Sequence, residues 1–133
     1  MLVASLALQR FLEDESGRQY GLSVLARLST KRAVVPIRWF YEVGNGLLMA
    51  YRRKRITFDP IDGFLTRLNA LPIDAAQQVL TEILELPAIA QKHCLTSYDA
   101  AYLALAMRFR LPLATTAAEL RWAAAAGVAM VPA

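Results

Sequence analysis

Two carboxylates stand where a chain fixes an acid in space. Asp99 lies in Leu95-Thr96-Ser97-Tyr98-Asp99-Ala100-Ala101-Tyr102-Leu103, where Thr96 or Ser97 can accept a hydrogen bond from an otherwise orphaned backbone N–H and open a helix. Apolar residues at 98, 101, 102, 105 and 109 give that helix one face, so Asp99 falls in its first turn. A carboxylate there gains about 0.3–1 kcal/mol from the helix dipole, and its simplest use is to start the helix. It becomes part of a site only if other acids converge on it. Glu42 is the second fixed acid. It sits in a helix expected over Trp39 to Arg53, beside a stripe of Phe40, Val43, Leu47, Leu48 and Tyr51, with Asn45 a turn away. Gly44 and Gly46 each cost about 1 kcal/mol relative to Ala inside a helix, which predicts close approach by another backbone or by a ligand.

The other chemistry-bearing stretch is Arg52-Arg53-Lys54-Arg55, the one dense basic run in a chain of formal charge +4. It reads equally as a solvated helix end, where cations favour the C-terminal dipole, and as a patch facing nucleic acid. The positive balance invites a phosphate-bearing partner.

The elements that position these residues alternate. Met1-Leu2-Val3 is a short apolar start. Ser5 then caps a helix through Phe11 and Leu12 that ends in Glu13-Asp14-Glu15. A second helix covers Gln19 to Leu28, and Ala33-Val34-Val35 is a buried strand closed by Pro36. Phe58 or Asp59 opens a helix with Pro60 near its first position, running to Leu71, and Leu71-Pro72-Ile73 is a connection or an edge strand. Ala75 to Leu86 has helical periodicity, which Pro87 is expected to interrupt. After the Asp99 helix come a strand over Leu111 to Thr115, a capping box from Thr116 to Glu119, a helix stopped by Gly127, and a last strand over Val128 to Val131.

Short apolar strands alternating with helices predict mainly parallel strands with right-handed crossovers, hence a three-layer α/β/α sandwich. Ligands in such sheets lie beyond the carboxyl ends of the strands, here after Val3, Val35 and Ala114. A length of 133 residues suits a single domain over residues 1–133. No apolar run reaches the roughly 18 residues of a membrane span and no secretory signal opens the chain, so no membrane association and a cytoplasmic location are expected. The single cysteine, Cys94, is expected as a small buried hydrophobe in a reducing compartment.

Several segments resemble one family. Val34-Val35-Pro36 followed by Trp39-Phe40-Tyr41-Glu42-Val43-Gly44-Asn45-Gly46-Leu47 is similar to the proline, aromatic, Glu-Val-x-Asn segment of PIN-domain proteins of the VapC toxin type. Leu95-Thr96-Ser97-Tyr98-Asp99-Ala100-Ala101-Tyr102 resembles their Leu-Thr-x-Tyr-Asp-Ala-x-Tyr signature, and Leu111 to Thr115 the strand after it. The resemblance implies a metal-dependent endoribonuclease of a toxin–antitoxin system that forms a homodimer, with an antitoxin protein and RNA as partners. It implies Glu42 and Asp99 as catalytic and metal-ligating acids for Mg²⁺ or Mn²⁺. Hard cations take carboxylate oxygens, and phosphodiester cleavage uses such a metal to activate water and stabilise developing charge. Ser5, Asn45, Thr115 and Thr116 are candidate supporting polar residues, of which Ser5, Thr115 and Thr116 could orient a metal-bound water, and Arg52, Arg53, Lys54 and Arg55 are candidate nucleic-acid contacts.

Two further acids that the family places at this site are missing: Val3 and Ala117 stand at their positions, and Glu119 is already used by the capping box. Two functions are therefore expected in competition. One is a ribonuclease working from Glu42 and Asp99 with a substrate-assisted metal. The other is a catalytically inactive module that keeps its RNA or antitoxin contacts without cutting.

Overall fold

The computed structural model describes residues 1–12, 17–125 and 127–132; the expected acidic run Glu13-Asp14-Glu15 lies outside them. Seven α-helices and a small parallel sheet make up a mixed α/β fold among the described residues. In order these are α1 (Ala4–Phe11), α2 (Arg18–Ala26) with a 3₁₀ turn over Arg27–Ser29, β1 (Ala33–Pro36), α3 (Arg38–Arg52), α4 (Asp59–Asn69), β2 (Ile73–Ala76), α5 (Leu80–His93), α6 (Ser97–Phe109) and α7 (Ala118–Ala124).

Strand β1 pairs in parallel with β2, Ala33 opposite Ile73 through Pro36 opposite Ala76. On its other side the backbone is continued by single bonds. The Leu2 N–H donates to the Val34 carbonyl (3.4 Å), the Val3 N–H to Ala114 (3.2 Å), and the Val131 N–H to Leu113 (2.9 Å). Both isolated bridges, Leu2 with Ala114 and Leu113 with Met130, are parallel. Residues 1–3 thus lie between β1 and residues 113–114. The core forms around them from Leu2, Leu6, Val35, Trp39, Val43, Leu47, Tyr102, Leu103, Leu105, Leu113 and Leu120, all nearly without exposure. Each such side chain contributes roughly 1.5–3 kcal/mol by leaving water.

Several local expectations give way to tertiary structure. Ser5 is not the cap of α1: Val3 holds that position without a side-chain bond. Residues 75 and 76 belong to β2, because pairing with β1 satisfies their backbone, and the helix expected from Ala75 starts only at Leu80. Pro87 lies inside a continuous α5. Its ring is on the solvent face, so the carbonyl of Ile83 that it leaves without a helical donor can be hydrated, while Leu86 and Ala90 on the other face are buried beside Ala100 and Ala101 of α6. The helix expected to reach Leu71 ends at Asn69. Cys94 is exposed: it ends α5 in the left-handed region (φ 54°), where the chain turns sharply toward α6.

The faces of α3 and α6 also differ from their apolar periodicity. On α3 the buried residues are Trp39, Val43, Leu47 and Ala50, while Phe40 and Tyr51 are exposed. On α6 burial takes in Ala100, Leu103 and Ala106 as well as the expected face, and Tyr98 and Phe109 are exposed. Close approach to another backbone is not what the two glycines of α3 provide: at Gly46 a Cβ would run into the Leu8 side chain of α1, and at Gly44 it would meet open space.

The start of α6 is as expected. Thr96 is the N-cap, its hydroxyl accepting from the Asp99 N–H (3.1 Å). Thr96→Ala should lower the unfolding free energy by about 1 kcal/mol, read from urea denaturation, because it orphans that donor. An unchanged midpoint would mean that the cap contributes nothing.

Candidate functional site

Glu42 is placed by the sharp passage from β1 into α3. Pro36 ends the strand, Ile37 turns the chain, and Arg38 is the first helical residue, which brings Arg38 and Glu42 to the same face one turn apart. The Arg38 Nη2 donates to Glu42 Oε1. The other carboxylate oxygen, Oε2, accepts from the hydroxyl of Tyr102 on α6. Arg38 also lies over the ring of Tyr98, its Cζ 4.0 Å from the centroid. A single cation therefore joins the beginning of α3 to the beginning of α6, with both Arg38 and Glu42 half-buried.

Tyr102 is buried, and burial is the first reason its phenol is pushed above its ordinary value. The hydrogen bond to Glu42 and the charge of that carboxylate add to the shift, while the Ala4 backbone N–H and Arg38 act in the opposite direction. The phenol is a donor held in place. Its contact with Ala4 also brings the start of α1, immediately after Val3, to the Glu42 corner.

Asp99 is one turn before Tyr102 on α6, and one of its carboxylate oxygens is bonded locally. Its Oδ2 accepts from the Thr96 hydroxyl (3.0 Å), so Thr96 and Asp99 bond each other twice. Neither Arg38 nor Tyr102 was picked out as a site residue by sequence reasoning. The available signal was a cation four residues before Glu42. It was hidden because the helix was expected to start at Trp39, which left Arg38 in the preceding turn.

The supporting residues have other uses. Thr115 is fully buried, and its hydroxyl accepts from the Ala117 N–H (3.1 Å). Thr116 accepts from Gln9 Nε2 (3.1 Å), so the capping box expected with Glu119 does not form; Ala117 is the N-cap of α7 and Glu119 is exposed. Asn45 is exposed. Ser5 lines a shallow cavity of about 210 Å³ between α1 and α3, together with Leu8, Gly46, Met49, Arg53 and Arg55. Arg52, Arg53, Lys54 and Arg55 are all exposed where α3 ends, beside the exposed rings of Tyr51 and Phe58, whose centroids are 5.3 Å apart. A larger cavity, of about 310 Å³, opens at the amino ends of the strands near Leu2 and Ala33, away from Glu42.

These donors do not fit the Mg²⁺ or Mn²⁺ that the sequence resemblance implies. One Glu42 oxygen is bonded to a guanidinium and the other to a phenol, the side chains of Val3 and Ala117 carry no donor atoms, and Asp99, with one oxygen bonded to Thr96, is left as the one acid of this set that no cation neutralises among the described residues. Among the described residues no three His, Cys, Asp or Glu side chains come together. The arrangement can neutralise a carboxylate and hold two helix starts together.

No family model matches the chain, and no curated protein matches it. Among solved structures it is similar to the crystal structure of PAE2754 from Pyrobaculum aerophilum, with a TM-score of 0.68 and 20% identity over 92% of this chain and 83% of that one. At that identity the likeness is one of fold. No described helix is long and apolar enough to cross a membrane.

Proposed function

We propose that this chain is a PIN-like module of the VapC type that binds single-stranded RNA without cutting it. In this reading the parallel strands and the helices on either side form a three-layer α/β/α sandwich, and the backbone order running from β2 through β1 and residues 1–3 to residues 113–114 and 130 supports it. Glu42 and Asp99 descend from a metal-binding acid cluster whose other members are now Val3 and Ala117.

The observation that carries RNA as the partner is the end of α3. Four consecutive exposed cations lie beside two exposed aromatic rings. Cations of this kind follow a phosphate backbone, and exposed rings give unstacked bases a surface on which to stack. Among the described residues no carboxylate pairs with Arg52, Arg53 or Lys54.

A fluorescence anisotropy titration with single-stranded RNA tests the reading. Affinity should fall with salt, with a log–log slope of about −0.7 for each phosphate contact. Arg52→Glu/Arg53→Glu should weaken binding by about tenfold or more, and the RNA should stay intact with Mg²⁺ or Mn²⁺ present. Binding indifferent to salt and to the double substitution would refute the RNA interface. Cleavage lost in Glu42→Gln would instead establish the ribonuclease.

A second reading, a protein partner such as an antitoxin or a second copy of the chain, draws on the exposed apolar row Val79, Leu80, Ile83 and Leu84 at the start of α5. Such rows on a helix mark surfaces that another chain can cover.

A further inference from the structure

We infer that the Arg38 guanidinium is the built-in cation of the Glu42 carboxylate, and that it keeps divalent metal ions away from this corner of the fold. The inference rests on reading the Glu42 corner as the remnant of a metal site, and concerns what has taken the metal's place.

The Arg38 and Glu42 pair is poorly explained as a helix-stabilising contact. Arg38 is the first residue of α3, where the dipole disfavours a cation, and arginine preceding glutamate by four residues is the weaker orientation for such a pair. What holds the pair comes from α6. Tyr98 offers the guanidinium a ring face, and Tyr102 bonds the carboxylate oxygen that Arg38 leaves. Two side chains of α6 thus fix one cation of α3 on one acid of the same helix.

Charge then decides which cation stays. Arg38 and Glu42 together are neutral. A divalent ion added to them would leave two excess positive charges close to the starts of α3 and α6, both positive dipole ends. Asp99, tied to Thr96, would offset one at most. Mg²⁺ gives up its water reluctantly and is usually held by one or two carboxylates together with substrate phosphates, so a carboxylate already shared with a guanidinium is a poor site for the free ion. Glu42 and Arg38 retain 29% and 27% of their side-chain exposure, so an ion can reach them, and exclusion is electrostatic rather than steric.

The test is Mn²⁺ binding by the full chain, followed through loss of the free-ion electron paramagnetic resonance signal, with folding checked by circular dichroism. The unaltered chain should leave the signal unchanged. Arg38→Gln should bind Mn²⁺ about 10–100-fold more tightly than the unaltered chain, and Arg38→Gln/Glu42→Gln should lose that gain. If Arg38→Gln folds poorly, Arg38→Met provides the second comparison, because it keeps an aliphatic chain against the Tyr98 ring and removes only the charge. Arg38→Met should then bind Mn²⁺ more tightly than the unaltered chain. Equal binding by those two, or Mn²⁺ binding by the unaltered chain that Glu42→Gln removes, would overturn the inference. RNA left intact by a chain that binds Mn²⁺ through Glu42 would overturn it and leave the proposed function standing. RNA cut by a chain that binds no Mn²⁺ would do the reverse.

Discussion

Trp39→Ala should lower the unfolding free energy by about 3–5 kcal/mol, the largest effect of any single substitution considered for this chain, measured by urea denaturation. Trp39 is fully buried in the first turn of α3, edge-on to Phe40 with centroids 5.1 Å apart. Alanine would remove its buried area and leave a cavity that the surrounding helices can only partly close. Trp39→Phe separates two contributions. The indole Nε1 is buried without a hydrogen-bond partner among the described residues, so phenylalanine removes an unsatisfied donor as well as volume. Its cost should be only about 1–1.5 kcal/mol. A Trp39→Phe loss as large as that of Trp39→Ala would mean that shape alone determines the site. Because Trp39 lies between Arg38 and Glu42 in sequence and anchors their helix, its replacement by alanine should also disturb the Glu42 corner.

Tyr102→Phe should cost about 1.5–3 kcal/mol, the range for a hydrogen bond to a charged group, since it leaves one oxygen of the Glu42 carboxylate without its donor. Its pH dependence has a definite sign. The folded phenol titrates above its ordinary value of 10.0 because it is buried and hydrogen-bonded to Glu42, so folding favours the protonated form. That stabilisation is complete below pH 10.0 and is lost as pH rises beyond it toward the folded value. The unaltered chain should therefore lose stability on the alkaline side more steeply than Tyr102→Phe. Tyr20, also shifted upward chiefly by burial, contributes alike in both proteins, so the difference between them belongs to Tyr102. Identical alkaline slopes would show that Tyr102 is not held as a buried donor.

The elements that position the acids were legible where local chemistry and tertiary structure agree. Thr96 caps α6, Pro36 closes β1, and Asp99 falls in the first turn, all from patterns a few residues long. The sequence was misleading where a distant partner decides. Asp74, Ala75 and Ala76 have little intrinsic preference for a strand, yet β1 holds them in one. Pro87 reads as a break, but the burial of α5 against α6 outweighs it. Cys94 reads as apolar, yet it occupies a helix end whose left-handed backbone turns it outward. At the site, Glu42 and Asp99 were found as acids, whereas their partners were not. Tyr102 lies sixty positions from Glu42. Arg38 became visible only once α3 was seen to begin one residue earlier than its apolar pattern suggested.

The position of the first three residues bears on how the chain reaches this state. Leu2 and Val3 lie between β1 and a segment 111 positions further on, to which the Val3 N–H is bonded through Ala114. During synthesis, the segment that completes their pairing emerges only after all the residues from α1 through α6 have been made. Contacts this distant along the chain close slowly, because the entropy of the intervening loop is lost before the pairing is gained. Until then the apolar side chains of residues 1–3 lack one wall of their pocket, while α5 and α6, which follow one another directly, can already pack together. The α5 and α6 hairpin, and likewise α1 with α2, can therefore pack before residues 113–114 complete the central backbone.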